Sequence, residues 1–371
     1  MNFEFSEDQK FVQKTARDYL AAHSGLEVCR GVLEGGKPYD TGLWKGVAEQ
    51  GWLGTVVPES LGGAGMGYLE LALIAEEIGR ALAPIPFSSS VYLATEALLR
   101  HGSDAQKKRH LPALAGGERI GTFALEEGPG DAPIAALATR FAGGRLTGRK
   151  LPVPAGDVAG LAVVVAQSDA GPSLVLVDLE GAGVERRRLA GFDPSRSLAE
   201  LRFEGAPAEL LGPAGRGAEL ALGLLDRAAV LLGFEQVGGA ERAFEITREF
   251  TLSRYAFGRP IASFQALKHR MADVYCKIEI ARSNAYYGAW ALHAGNATEL
   301  ALAGPSTRVA ASDAFTLAAE EMIQMHGGVG YTWEYDCHLF YRRARLLALL
   351  LGSPSLWRDR LVERLAAREA V

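Results

Sequence analysis

A chain of 371 residues, 48% of them apolar, can bury a large core and is long enough for two or three domains. Its net charge of -5, with the two signs interspersed, excludes a sustained basic face, so nucleic acid is not an expected partner. Cys29, Cys276 and Cys337 have neither a paired nor a metal-ligand spacing, so reduced thiols and no metal are expected.

The opening MNFEFSEDQK has no basic n-region and no apolar h-region, and no apolar run approaches the length of a membrane span. A soluble, cytoplasmic protein is the expectation. Ser6 with Gln9 forms a capping box, and Val12, Ala16, Tyr19 and Leu20 then recur at helical spacing, which predicts a first helix of about four turns. A short helix is predicted over Leu43–Gln50, followed by a glycine-rich loop over Val57–Gly65. Leu69–Leu82 and Ser88–Gly102 read as further helices, so residues 1–119 are expected to be all-helical.

From Ile120 the pattern changes to short β-rich runs, including 121–125, 161–167, 173–179 and 199–203, separated by Gly, Pro and Asp. They predict a small antiparallel β domain over 120–214, in which the basic run Arg186–Arg188 is a solvated loop. Long helices return over 217–253, 263–295, 306–326 and 332–350, with a shorter one after Pro354, and predict a C-terminal four-helix bundle over 215–371. The fold class is therefore α+β.

Two stretches carry more than fold. RYAFGRPIASFQ, Arg254–Gln265, places an arginine, an aromatic and a glutamine at fixed spacing on a helix and the turn that ends it. QMHGGVGY, Gln324–Tyr331, ends a helical run in glycines that let the backbone bend sharply or approach a ligand; a plain helix stop is the alternative. The pattern R-x-x-F-G-x-P-I-x-x-x-Q followed by Q-x-x-G-G-x-G-Y resembles the acyl-CoA dehydrogenase family. The α, then β, then α order is also that family's architecture.

The resemblance implies FAD held across a subunit interface, and it gives this chain the ADP end. Arg254 would then face the pyrophosphate, since its planar fork donates two hydrogen bonds to paired anionic oxygens. Phe257 would offer a flat apolar face to adenine or a neighbouring chain, Gln265 and Gln324 would meet ribose or base edges, and Gly327 and Gly328 would bring backbone amides to phosphate. Helix capping for Arg254 and core burial for Phe257 are the alternatives. His326, in the same turn, is assigned no chemistry.

The same resemblance exposes what is missing. Leu351 stands where the family's usual glutamate base falls, and Ala228 stands at the alternative base position on the first long C-terminal helix, so no catalytic residue is assigned. In the β domain, Glu126, Pro152 and Pro154 replace the threonine, tryptophan and threonine that line the flavin ring. Glu126 and Glu127 read as loop carboxylates, and Glu320 and Glu321 as ordinary helix formers.

Residues that a subunit keeps for its own flavin are lost, and those it lends to a neighbour remain. This predicts a non-catalytic subunit of a heteromeric, α2β2 acyl-CoA dehydrogenase. A homologous catalytic partner would supply the base and flavin pocket, an acyl-CoA such as a steroid side-chain thioester would be the substrate, and an electron-transfer flavoprotein or similar carrier would be the acceptor. Two rivals stand beside it: a homomeric enzyme with an unrecognised base, and a non-enzymatic acyl-CoA-binding or scaffold protein.

Overall fold

The computed structural model describes residues 5–131 and 134–369, so the reading of Met1–Glu4 lies outside the described residues. Eleven α-helices and nine strands are present among them. No helix there is long and apolar enough to cross a membrane, and no group of three or more His, Cys, Asp or Glu could hold a metal ion. None of the three cysteines forms a disulfide. The chain divides into two compact units, and the division cuts one long helix between Ala228 and Ala229.

Among the described residues, the first unit combines 5–31, Tyr68–Ala83 and 229–369. Its helices are α1 (Glu7–His23), the start of α2 (Leu26–Gly35), α4 (Tyr68–Arg80), most of α7 (Gly217–Ser253), α8 (Gln265–His293), α9 (Ala297–His326), α10 (Cys337–Leu349) and α11 (Pro354–Glu369). The predicted capping box starts α1: Ser6 Oγ accepts from the Gln9 amide at 3.2 Å and Gln9 Oε1 accepts from the Ser6 amide at 3.0 Å.

α4 is buried on all sides from Leu71 to Gly79, and this stretch includes two acids. Glu77 accepts both guanidinium branches of Arg17, at 2.8 and 3.0 Å, while Glu76 accepts from Arg282 and Gln13. Burial pushes the Glu76 carboxyl up to about 7 against the opposing pull of Arg282.

α9 departs from the predicted start near residue 306. It begins nine residues earlier, capped by Asn296 Oδ1 accepting from the Glu299 amide at 3.1 Å, and it runs straight through Pro305. A proline inside a helix strands the carbonyl four residues back. Here that carbonyl, on Ala301, accepts from Arg364 Nη1 at 2.7 Å, so a distant side chain replaces the lost bond. α10 starts later than predicted, because 327–331 form a 3-10 turn and an irregular segment follows.

The second unit comprises Val32–Gly67 and Pro84–Ala228. Its helices are α3 (Thr41–Glu49), a π-helix over Ser88–Thr95 that continues as α5 (Glu96–His101), and α6 (Asp104–Ala115). The single helix predicted over 88–102 is thus a fully buried π-turn followed by a short α-helix.

The sheet contains β1 (Gly121–Ala124), β2 (Arg140–Ala142), β3 (Arg145–Pro154), β4 (Leu161–Ser168), β5 (Gly171–Asp178), β6 (Val184–Leu189) and β7 (Leu198–Leu211). Pairings run β4 to β2 to β3 to β7 to β5 and back to β4, closing a ring, with β1 parallel on β4 and β6 antiparallel on β7. Most pairings are antiparallel, as predicted.

Sequence patterning misses β2, β3 and β6. β3 contains prolines, which the ladder tolerates because Pro152 falls in a register shift between Lys150 and Val153. β6 reads as charge, and so the expected loop at Arg186–Arg188 is a strand. Glu200, almost without exposure, accepts from Arg187 at 3.0 Å, and the backbone of Gly36 and Lys37 accepts from Arg188.

Candidate functional site

The helix α7 ends at Ser253, and Arg254 opens a feature that the sequence does not announce. β8 (Tyr255–Ala256) and β9 (Arg259–Pro260) pair as a minimal hairpin, closed by the Ile261 amide donating to the Arg254 carbonyl at 2.8 Å. Phe257 and Gly258 form its tip with φ of 53° and 77°, the two positive values of a type I′ turn. A phenylalanine in the left-handed region is strained. Its ring is 95% exposed, so no core contact explains it, which removes the core alternative.

The hairpin is held from beneath. Phe264 and Phe257 make an edge-to-face contact with ring centroids 6.2 Å apart, and the Arg259 guanidinium lies over the Phe264 ring at 4.1 Å. Gln265 is the first residue of α8.

The second motif ends α9. The Gly327 amide donates back to the Gln324 carbonyl, and Gly327 has φ 63° with ψ -139°, a conformation open to glycine. A Cβ at Gly327 or Gly328 would meet no atom within 4 Å, so both backbones face open space.

The structure joins the two motifs through residues that the sequence reading does not single out. The Phe250 carbonyl accepts from the Arg254 amide at 2.8 Å, and the Phe250 ring stacks on His326 with centroids 4.0 Å apart. Arg270 on α8 pairs with Glu321 on α9, correcting the reading of Glu321 as an ordinary helix former. His326 has a structural role here, with its Nδ1 2.6 Å from the Met322 carbonyl and its pKa lowered by burial. Helical spacing of Phe250 and the alternation of charge on α8 and α9 were the only signals for these contacts.

Arg254, Phe257, Gln265, Gln324, Gly327 and Gly328 are all exposed. Among the described residues, none of the side chains of Arg254, Gln265 and Gln324 has a hydrogen-bond or ion-pair partner. A surface that offers a bare guanidinium, two bare amides, an unburied aromatic face and two open glycines fits the ADP end of a dinucleotide.

The two positions expected to carry a base are different. Leu351 is 7% exposed and its carbonyl accepts from Trp357 Nε1 at 3.0 Å; Ala228 is 1% exposed within α7. Neither side chain can take a proton.

The segment of the β unit expected to line the flavin ring is also occupied. Lys150 is fully buried, and Nζ donates to the Leu125 carbonyl at 2.7 Å and to Glu127 at 2.9 Å. Glu127 also accepts from the amides of Ala138 and Thr139, so it is an internal counter-ion and not a loop carboxylate. Burial alone would raise its pKa, but these bonds hold it down to about 2. Pro152 and Pro154 carry no amide donor, and the Pro154 carbonyl already accepts from Thr122 Oγ1 at 2.5 Å. These residues do not fit a flavin ring.

Residues 6–118 match the family profile for the acyl-CoA dehydrogenase N-terminal domain, and residues 215–366 match that for the C-terminal domain. The acyl-CoA dehydrogenase IpdE2 of Mycobacterium tuberculosis is 35% identical over 349 residues, 94% of each chain. Among solved structures, a variant of the Tcur3481-Tcur3483 steroid ACAD superposes with TM-score 0.89 at 31% identity, covering 98% of this chain and 99% of that one. The ChsE4-ChsE5 complex from Mycobacterium tuberculosis does so with TM-score 0.87 at 30% identity, covering 99% of both. Members of the family are FAD-dependent oxidoreductases acting on CH-CH bonds. By sequence over most of its length and by fold over nearly all of it, the chain belongs to the acyl-CoA dehydrogenase family.

Proposed function

We propose that this chain is the non-catalytic subunit of a heteromeric acyl-CoA dehydrogenase. One observation carries the reading: every retained cofactor residue is exposed, and the side chains of Arg254, Gln265 and Gln324 have no hydrogen-bond or ion-pair partner among the described residues, while both base positions are buried hydrocarbon. Arg254 would hold the pyrophosphate by paired hydrogen bonds, with Gly327 letting the backbone come close and the amide at Gly328 adding a neutral donor. Phe257 would pack its exposed face on the adenine or the partner, and Gln265 and Gln324 would orient the ribose and base edges. When bound, FAD supplies the acceptor for the hydride leaving the acyl β-carbon. The homologous partner would supply the carboxylate that removes the α-proton and the pocket for the flavin ring.

An incomplete site beside a complete one is compatible with a quasi-symmetric assembly, and α2β2 with one FAD per heterodimer follows. The surface supports a protein partner. Leu252 and Tyr275 are exposed on an apolar groove of about 350 Å³ between the end of α7 and the start of α8, and Tyr255 and Phe257 are exposed on the hairpin that connects these helices. IpdE2 and the steroid complexes motivate an acyl-CoA with a steroid-derived side chain as substrate, and an electron-transfer flavoprotein or similar carrier as acceptor.

The test is to purify the chain alone and with the homologous chain encoded beside it, measuring FAD per chain and acyl-CoA-dependent dye reduction. A complex with one FAD per heterodimer and a colourless lone chain is expected. A yellow, active homomer would overturn the proposal, as would a complex with FAD in every subunit.

A further inference from the structure

Between the glycine turn and α10 lies a segment that includes neither the retained motif nor a base position. Tyr331, the last residue of the turn, is 90% exposed, and Trp333 and Tyr335 beyond it are 47% and 41% exposed, so little burial holds this stretch in place. Asp336 occupies the N-cap of α10, where an aspartate usually accepts from the first amides and stabilises the helix by about 1 kcal/mol. Here it makes no such bond. Its Oδ1 instead accepts from Arg30 Nη2 at 2.6 Å, across 306 positions of sequence, and Arg30 Nη1 also donates to the Trp333 carbonyl at 2.7 Å.

Around this tie the aromatic groups stack. Trp333 lies flat on His338, centroids 4.3 Å apart and planes 12° apart, with Arg30 at 5.8 Å and Arg342 at 5.6 Å from the Trp333 ring. Both are within cation-π range. Burial, with Arg30 and Arg342 nearby, lowers the His338 pKa, so the imidazole serves as a flat neutral face. Thr332 then ties the segment back to the turn, donating from its amide and Oγ1 to the Val329 carbonyl at 3.1 and 2.9 Å. A chain of contacts thus runs from Arg30 through Asp336 and Trp333 to Val329, beside Gly327 and Gly328.

We infer that Arg30 is a positioning residue for the cofactor turn, fixing Gly327–Tyr331 from α2 without touching the ligand. Local helix capping is surrendered for a long-range bond whose effect is to orient an exposed segment, and that segment continues directly from the two open glycines. The inference rests on the proposed ADP-side role. Its test must separate the two.

In the co-purified complex, Arg30→Gln and Asp336→Asn should each speed FAD loss about tenfold, comparable to the lower end of what outer-shell partners cost at metal sites. The double variant should be no worse than Arg30→Gln alone, because the bond lost in Asp336→Asn is one of the two that Arg30→Gln already removes. Arg30→Lys, which keeps the charge but cannot serve two acceptors in a fork, should recover only part of the loss. In the lone chain, hydrogen exchange of the peptide spanning 327–336 should quicken in Arg30→Gln while the middle of α9 stays protected. Unchanged FAD loss in Arg30→Gln, or strictly additive losses in the double variant, would overturn the inference. If Arg254→Ala also keeps its FAD, the ADP-side reading itself has failed; if Arg254→Ala releases FAD and Arg30→Gln does not, only the positioning role has.

Discussion

Lys150, with no exposed side-chain surface, sets its ammonium 2.9 Å from the Glu127 carboxylate. Glu127 also binds two backbone amides, so the pair ties β3 to the connection after β1. Removing the lysine as Lys150→Met should cost about 3 kcal/mol, because it leaves a part-buried carboxylate without its cation. The acid side follows from the Glu127 carboxyl, held near 2 against an ordinary 4.5. A depressed acid contributes stability that is complete above its unfolded pKa and is lost as pH falls towards the folded one. Urea midpoints should therefore drop between pH 4.5 and 2 in the parent, and Glu127→Gln should be weaker at neutral pH with a flatter acid limb.

Two glycines allow α4 and α7 to touch backbone to backbone. A Cβ at Gly79 would lie 1.8 Å from the Glu235 carbonyl oxygen, and one at Gly238 would lie 1.9 Å from that of Glu76. Backbone cannot retreat as a side-chain tip can, so Gly79→Ala and Gly238→Ala should each destabilise by about 3 kcal/mol. Gly31→Ala, within α2 and with no atom within 4 Å of the added Cβ, should instead stabilise by about 0.5 kcal/mol. Thermal melting of the three variants checks the order.

Restoring a carboxylate should not restore a second active site. Leu351→Glu and Ala228→Glu place an acid at the two family base positions. Pro152, Pro154 and the Lys150–Glu127 pair still occupy the segment that would line a flavin ring. Acyl-CoA-dependent dye reduction per complex should therefore be unchanged, and the lone variants should stay colourless. Activity from either lone variant would show that the flavin pocket is intact.

The domains of helix and strand were legible where periodicity and caps agree, as at Ser6 and Gln9 or in the apolar run of β4. Legibility failed where a distant partner overrides a local rule. Pro305 argues for a helix start, yet Arg364 satisfies the carbonyl it strands. Arg186–Arg188 argues for a loop, yet Glu200 and backbone carbonyls absorb the charge on a strand. At the candidate site, motif spacing singled out Arg254 and Gln324 but not the Phe250–His326 stack between the two motifs, because a ring contact between two helices depends on how they pack and lies outside both motifs.

Phe257 offers the sharpest separation of fold from function. The I′ tip it shares with Gly258 is the position where Asn-Gly is the favoured pair, since asparagine tolerates positive φ better than an aromatic residue does. Phe257→Asn should therefore stabilise the lone chain by about 0.5 kcal/mol, the exposed ring having only its contact with Phe264 to lose. The same change removes the apolar face proposed to meet adenine or the partner, so complex assembly or FAD retention should weaken. Calorimetry on the lone chain and flavin release from the complex read the two effects independently. A chain that keeps a strained, 95% exposed phenylalanine where asparagine would fold better is holding it for something outside itself. If Phe257→Asn stabilises the chain and leaves both assembly and FAD retention untouched, that explanation is wrong.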